Sequence, residues 1–364
     1  MADPRARFAM IMAGGAGTRL WPMSRRRRPK QLLPFIDGRS LLEIAAHRLD
    51  GVVPPDHRLI CTGETYRDVI RRALPEFTDE QILGEPVGRD TVNAVGLTAA
   101  VLSARDPDAV FAVLTADHLI EPDAEFRRGL DLGFGLVEAE PHRFVTFAIA
   151  PTFAATSYGW VERGDPVPGV EGAFTARRFI EKPPKAEAET LLASGRCGWN
   201  SGMFVFHAGV FLETLARYEP AAHAGLTEIG AAWNTPDRVR TLERVYPNLP
   251  KISVDYAVME PAAKDDAITI CAVPIDVKWR DVGSWPSYGA TLDADDQGNR
   301  SNTPLLTIDS RNVLAVSDDP EHLVATIGCD DLIVVRTADV TLVCRAKDAE
   351  KVKAMVDAVA EDRR

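Results

Sequence analysis

The stretch Phe8–Gln31, FAMIMAGGAGTRLWPMSRRRRPKQ, constrains the fold more than any other part of the sequence. A short apolar run, Phe8–Met12, breaks abruptly into Ala13, Gly14, Gly15, Ala16 and Gly17, followed by Thr18 and Arg19. An apolar run that ends in glycines reads as a buried strand entering a tight loop. Without side chains, the loop can bring backbone N–H groups close to an anion, and Arg19, Arg25, Arg26, Arg27, Arg28 and Lys30 add positive charge beside it. The pattern predicts a phosphate cradle at the end of a strand.

Two better-known phosphate loops do not fit. From Gly15 the spacing runs Gly15, Gly17, Leu20, so the third glycine of a dinucleotide fingerprint is absent, and no glycine precedes a Lys-Ser or Lys-Thr pair as a P-loop requires. A secretory signal is disfavoured as well: Arg5 and Arg7 precede an apolar stretch, but glycines interrupt it and a WPMSRRRR run follows. The chain of 364 residues is long enough for two or three domains, and no apolar run approaches a membrane span. A net charge of −11 argues against general nucleic-acid or acidic-membrane binding, so the local basic cluster is expected to meet a local anion. The 5 cysteines are scattered without a C-x-x-C pair and read as buried thiols of a reducing, cytoplasmic compartment. No histidine pair has zinc spacing, and His118, next to Asp117, is read as a histidine bonded to local backbone.

Along the chain, strands and helices alternate. Ser40-Leu41-Leu42-Glu43 fits a capping box opening a helix to about Leu49; Arg58–Thr62 is a strand and Glu64–Leu74 a helix; Gln81–Gly84 is a strand leading through Glu85-Pro86-Val87-Gly88-Arg89-Asp90-Thr91 into an alanine-rich helix. Ala109–Thr115 is a strand ending at Ala116-Asp117-His118, Asp123–Glu138 a helix and Phe144–Ala150 a strand. Such alternation implies right-handed βαβ units and a mostly parallel sheet flanked by helices, a Rossmann-like α/β fold, with ligands outside the carboxyl ends of the strands. Past Pro151, longer strands suited to antiparallel pairing appear, and the middle segment reads as an insertion that lays a second substrate against the sheet. From about Asp293 the composition turns to Asp, Gly and Asn. Short strands then recur every ten residues or so, from Leu305–Ile308 to Val340–Val343, and Ala346–Val359 reads as a closing helix. The expected domains are 1–292, catalytic, and 293–364, a small β-rich or β-helix-like unit.

Asp117 and Asp281 each follow a strand beside small or turn-forming residues. Carboxylates at strand ends near a phosphate loop are what magnesium needs, since it keeps several waters and takes one or two carboxylates plus substrate phosphates. Taken singly, Asp117 also fits a helix cap, Asp281 a turn, Lys182 of Glu181-Lys182-Pro183 an exposed strand end, and Trp199 core filling.

Together, MAGGAGTRLWPMSRRRRPKQ, EPVGRDT, ADH, YGW, FIEKP, WNSGMFVF, SVDYAVME and WRDVGSW resemble, in order and spacing, the mannose-1-phosphate guanylyltransferases among the sugar-phosphate nucleotidyltransferases. The resemblance spans roughly Phe8–Leu292 and extends more loosely over the tail. It implies a nucleotide-diphospho-sugar transferase fold, with GTP on Gly14, Gly15, Gly17 and Thr18, phosphates on Arg19 and Lys30, and Mg2+ on Asp117 and Asp281. It further implies a base loop that includes Glu85, Gly88, Asp90 and Thr91, and mannose 1-phosphate on Gly159, Glu181, Lys182, Asn200 and Asp255. Catalytic charge is assigned to Arg19, Lys30, Asp117, Asp281 and Lys182.

The sequence departs from the family at the base loop, where GRNTAPA is usual and Gly88-Arg89-Asp90-Thr91-Val92-Asn93-Ala94 stands here. Asp90 is a carboxylate in place of an amide, still able to accept from guanine N1 and N2. No cupin-like isomerase segment is seen, so no phosphomannose isomerase activity is expected; the expected assembly is a homodimer. The rival readings are a related transferase using glucose 1-phosphate with dTTP, UTP or ATP, and an inactive subunit that senses sugar nucleotides.

Overall fold

The computed structural model describes residues 7–15 and 17–363. Ala16 of the glycine loop and Arg5, weighed above as part of a signal, lie outside the described residues. The chain divides into two compact units that are discontinuous in sequence: one runs up to Gly14 and takes Ala45–Ala116 and Ile120–Trp279, the other takes Gly15–Ile44, Asp117–Leu119 and Arg280 onward.

The first unit is built on a 9-stranded sheet. Its strands are β1 (Arg7–Met12), β2 (Arg58–Gly63), β3 (Ile82–Glu85), β4 (Val110–Thr115), β6 (Arg143–Ile149), β7 (Trp160–Pro166), β8 (Phe174–Ile180), β9 (Cys197–His207) and β10 (Thr269–Ile275). Two short strands outside this sheet, β5 (His118–Glu121) and β11 (Lys278–Asp281), contain the points where the chain passes from one unit to the other. The sheet order is β3-β2-β1-β4-β9-β6-β10-β8-β7. β1 pairs in parallel with β2 and β4, β2 with β3, and β6 with β10, while β9 runs antiparallel between β4 and β6. Side chains alternate between the faces of a strand. Phe8 and Met10, Phe111 and Val113, and Phe204 and Phe206 therefore join one core, together with residues of the helices Thr91–Arg105, Ala208–Tyr218 and Pro220–Ala232. The opposite face carries Val205 and Phe147, against which Gly133 of the helix Asp123–Ala139 packs so closely that a methyl group there would sit 3.2 Å from both. The strands past Pro151 extend the sheet itself. They are members of it, because β9 inserts between β4 and β6 and carries β7 with it.

The second unit explains the ten-residue rhythm of the tail. β12 (Arg300–Ser301), β14 (Leu314–Ser317) and β16 (Leu332–Arg336) stack in parallel in one sheet, with β17 (Thr341–Arg345) added antiparallel; the intervening β13 (Leu305–Ile308) and β15 (Val324–Ile327) pair in parallel in another. Successive strands alternate between two parallel sheets, which is a β-helix-like coil. Leu314, Val316, Ile333, Val335 and Leu342 bury against Leu20, Trp21 and Leu33 from the segment after the glycine loop and against Val352 and Val356. The closing helix is shorter than its sequence suggests: Ala346–Lys351 is a 3-10 turn and only Val352–Ala358 is α-helical.

Two other expectations are corrected. Cys61, Cys197 and Cys271 are buried free thiols, but Cys329, just after β15, and Cys344, on the edge strand β17, are only half-buried. The basic run does not stand open for a ligand throughout. Arg25 donates to the Pro22 and Arg363 carbonyls and pairs with Asp339 at 2.9 Å, and Arg26 pairs with Glu361 at 2.7 Å.

Candidate active site

The glycine loop is shaped by two glycines in left-handed or otherwise positive-φ conformations, Gly15 at φ 95° and Gly17 at φ 62°. A Cβ at Gly17 would lie 2.5 Å from Lys30 Cβ, so the loop lies against the aliphatic stem of Lys30. That packing buries Lys30 and directs its ammonium to Asp117 Oδ2, 2.6 Å away. Burial works against a charge on Asp117, but Lys30 and His118 outweigh it and hold the carboxyl below its ordinary value. Asp281 joins the same cluster: Asp117, His118 and Asp281 each offer a ligand atom within 4.8 Å of the other two. The backbone brings the two carboxylates together, since Val282 N–H donates to the Asp117 carbonyl at 3.0 Å. Gly283 keeps the neighbourhood open, as a Cβ there would stand 3.1 Å from Asp281 Oδ1 and 3.3 Å from Arg19 Nη2. Arg19, half-exposed, reaches Glu350 of the tail at 3.3 Å. Carboxylate oxygens are hard donors, and this donor set fits a divalent cation.

The first unit carries a different kind of site. Gly159 sits where a Cβ would be 2.5 Å from Glu181 Oε2 and 3.1 Å from Asn200 Cβ, so its bareness lets those side chains meet. Asn200 Nδ2 donates to Asp255 Oδ1 at 2.9 Å, while Asn200 Oδ1 accepts from Thr146 Oγ1 at 2.9 Å and from Gly202 N–H at 3.1 Å. Those bonds fix which way the amide points. Asp255 opens a π-helical turn, Asp255–Met259, and its carboxyl is pushed up to about 7 by burial and by the charge of Glu181, against the pull of Asn200. Glu181 N–H donates to Glu260 at 3.0 Å. The Glu181 side chain pairs with Lys182 Nζ at 2.8 Å, and that bond raises the lysine above its ordinary value. Lys182 is held at φ 46°, a costly conformation for a residue with a Cβ that concentrates at functional positions.

Near Gly14 of the same unit, Glu85 is buried, and its carboxylate accepts from Tyr246 Oη at 2.6 Å. Burial raises the Glu85 carboxyl, with Tyr246 opposing. A Cβ on Gly14 would come to 4.0 Å from Glu85 Oε2. Gly88 and Asp90 are exposed; the Asp90 carboxylate accepts from Thr91 N–H at 2.8 Å, capping the helix Thr91–Arg105. Thr91 Oγ1 accepts from Val254 N–H at 2.9 Å.

The model of the nucleotidyl transferase family matches residues 8–297, and that of the MannoseP isomerase/GMP-like beta-helix domain matches residues 305–359. The chain belongs to the nucleotidyl transferase family. It is 36% identical over 361 residues to a mannose-1-phosphate guanylyltransferase of Klebsiella pneumoniae, covering 98% of this chain and 74% of the relative. To mannose-1-phosphate guanylyltransferase 2 of Escherichia coli O157:H7 it is 34% identical over 360 residues, 96% of this chain and 73% of the relative. A crystal structure from Thermus thermophilus, named as a mannose-1-phosphate geranyltransferase, superposes with a TM-score of 0.84 at 32% identity, covering 97% of this chain and 99% of that one.

Within the family fold, the residues singled out in the sequence fall into two sets. Gly15, Gly17, Thr18, Arg19, Lys30, Asp117 and Asp281 belong to the second unit; Gly14, Glu85, Gly88, Asp90, Thr91, Gly159, Glu181, Lys182, Asn200 and Asp255 belong to the first. Sequence reasoning missed His118 as a possible ligand, although it adjoins Asp117, and missed Tyr246, Thr146 and Glu260, which carry no local signal because their partners are remote in sequence.

Proposed function

We propose that this chain transfers GMP from GTP to mannose 1-phosphate, giving GDP-mannose and pyrophosphate. The observation that supports the reading is the match over nearly the whole of this chain to proteins named mannose-1-phosphate guanylyltransferases, with both carboxylates of the acidic cluster and both Lys30 and Lys182 present. A phosphate monoester has a second pKa of about 6, so the attacking oxygen is already ionised at neutral pH and needs no general base. That oxygen bonds to the α-phosphorus of GTP as the bond to the bridging oxygen breaks, and pyrophosphate leaves with the electron pair. Arg19 and Lys30 hold the triphosphate and Lys182 the sugar phosphate, so that three cations offset the charge of two anions brought together. Asp117 and Asp281, with His118 beside them, would hold Mg2+, which when bound neutralises triphosphate charge.

The sugar hydroxyls are assigned to Glu181, Asn200 and Asp255; the Asn200–Asp255 bond and the bonds of Asn200 to Thr146 and Gly202 preset the direction of the amide, and Lys182 holds the Glu181 carboxylate. Guanine N1–H and N2–H are assigned to the Glu85 carboxylate, which Tyr246 holds in place; Asp90 already serves as a helix cap. Pyrophosphate release over a grid of the four nucleoside triphosphates and several hexose 1-phosphates tests the reading. GTP with mannose 1-phosphate should give the highest kcat/KM, and a pair such as dTTP or UTP with glucose 1-phosphate exceeding it would overturn the substrate assignment.

A further inference from the structure

Asn93 stands where the family pattern has proline, and nothing in the reading above uses it. It is fully buried in the first turn of the helix Thr91–Arg105. Its Nδ2 donates to two carbonyls, Arg89 of the base loop at 2.6 Å and Pro250 at 2.7 Å. Two carbonyl acceptors fix the orientation of the amide, because the reversed amide would set oxygen against oxygen. Beside it, Val92 N–H donates to the Ile252 carbonyl at 3.4 Å and Thr91 Oγ1 accepts from Val254 N–H at 2.9 Å. The segment so tied, Pro250–Val254, runs directly into the π-helical turn that begins at Asp255.

We propose that Asn93 is a positioning residue that couples the nucleotide-base loop to the sugar-binding segment, so that an ordered base loop favours the arrangement of Asp255 that accepts mannose 1-phosphate. The proposal deepens the guanylyltransferase reading and rests on it. Its physical content is a shared buried amide: a shift of the Arg89 carbonyl, on the loop that follows Glu85, moves an acceptor of the same NH2 group that holds Pro250. A proline at this position keeps the helix start, since an N–H in the first turn has no intrahelical partner, but cannot make either bond.

The test is a binding cycle on the full chain with Mg2+ present. Calorimetry gives the Kd of mannose 1-phosphate alone, the Kd of a GTP analogue with a methylene bridge between its α and β phosphorus, and the Kd of mannose 1-phosphate on the analogue-saturated protein. Wild type should bind the sugar phosphate at least about 5-fold more tightly once the analogue is bound, the lower end of ordinary coupling factors. In Asn93→Pro and Asn93→Ala the factor should fall to within about twofold, while each ligand alone keeps its affinity to within about threefold. A merely structural role would lower both single affinities and leave the factor unchanged. A factor near one in wild type, or an undiminished factor in both variants, overturns the proposal alone. If mannose 1-phosphate binds neither the free nor the analogue-saturated wild type, the substrate reading falls and the coupling with it.

Discussion

The two sets of functional residues are built on opposite physical plans. In the second unit, charges are satisfied by one another: Lys30 by Asp117 and Arg19 by Glu350. On the proposed function these are exchangeable partners, which an incoming triphosphate with its cation would replace at little cost, because every group would remain paired. In the first unit, Thr146, Gly202 and Asp255 fix the Asn200 amide, Glu260 holds the Glu181 backbone and Lys182 its carboxylate, which makes a preset array. Direction, not charge, is what that array stores, and direction is what distinguishes one sugar epimer from another. The comparison teaches that rate should live mainly in the first kind of set and sugar affinity in the second.

The largest expected effect breaks the comparison most cleanly if it fails. Asp117→Asn and Asp281→Asn keep shape and remove charge, and each should lower kcat by about 10²- to 10³-fold, the usual loss for one preorganised electrostatic contact. Their circular dichroism and melting temperature should stay near wild type; a comparable loss of fold would make the cluster structural. Next comes Lys182→Ala, which should raise the KM for mannose 1-phosphate by about 10- to 100-fold, the value of a charge-assisted hydrogen bond, with the KM for GTP little changed. Equal losses for both substrates would move Lys182 out of the sugar set.

A smaller effect reads the locked array through pH. An unfolded Asp titrates at about 3.9, whereas Asp255 in the folded chain is raised to about 7. The folded state therefore holds the extra proton between those values, and the stability this contributes is full below about pH 4 and lost as pH rises through 7. Asp255→Asn removes the titration, so the melting temperature of the variant relative to wild type should climb between pH 5 and pH 8; a constant difference contradicts it. Smallest is Glu350→Gln. Both partners of the Arg19–Glu350 pair are substantially exposed, so the change should alter the KM for GTP by less than about threefold. A larger shift in steady-state kinetics would mean that the tail governs Arg19 directly.

Much of this was legible in the chain. The glycine break after Met12, the strand-helix alternation and the ten-residue rhythm of the tail specify local geometry, and local geometry is what spacing encodes. Asp117 could be read from its place after β4, but Asp281 ends β11, which pairs with β5 outside the main sheet, so the two meet through the Val282 N–H to Asp117 carbonyl bond and not by both following strands of one parallel sheet. What stayed hidden was long-range. Nothing near Leu20, Trp21 and Leu33 announces that they bury with Leu314 and Val335 rather than with the sheet that β1 enters. β9 reads as one more strand, and its insertion between β4 and β6 is decided by packing on both faces. Arg25 and Arg26 look like ligand-binding charge until Asp339 and Glu361 arrive from the far end of the sequence.

The central claim is that the acidic cluster of the second unit acts as one site on one divalent cation, and a double-mutant cycle tests it most directly. The kcat of Asp117→Asn, of Asp281→Asn and of the double variant is measured at saturating GTP, mannose 1-phosphate and magnesium. Residues that serve a single ion are not independent, so the double variant should lose little more than the worse single variant, about 10³-fold at most. Losses that multiply to about 10⁴- to 10⁶-fold, as for two independent contacts, would contradict the shared site.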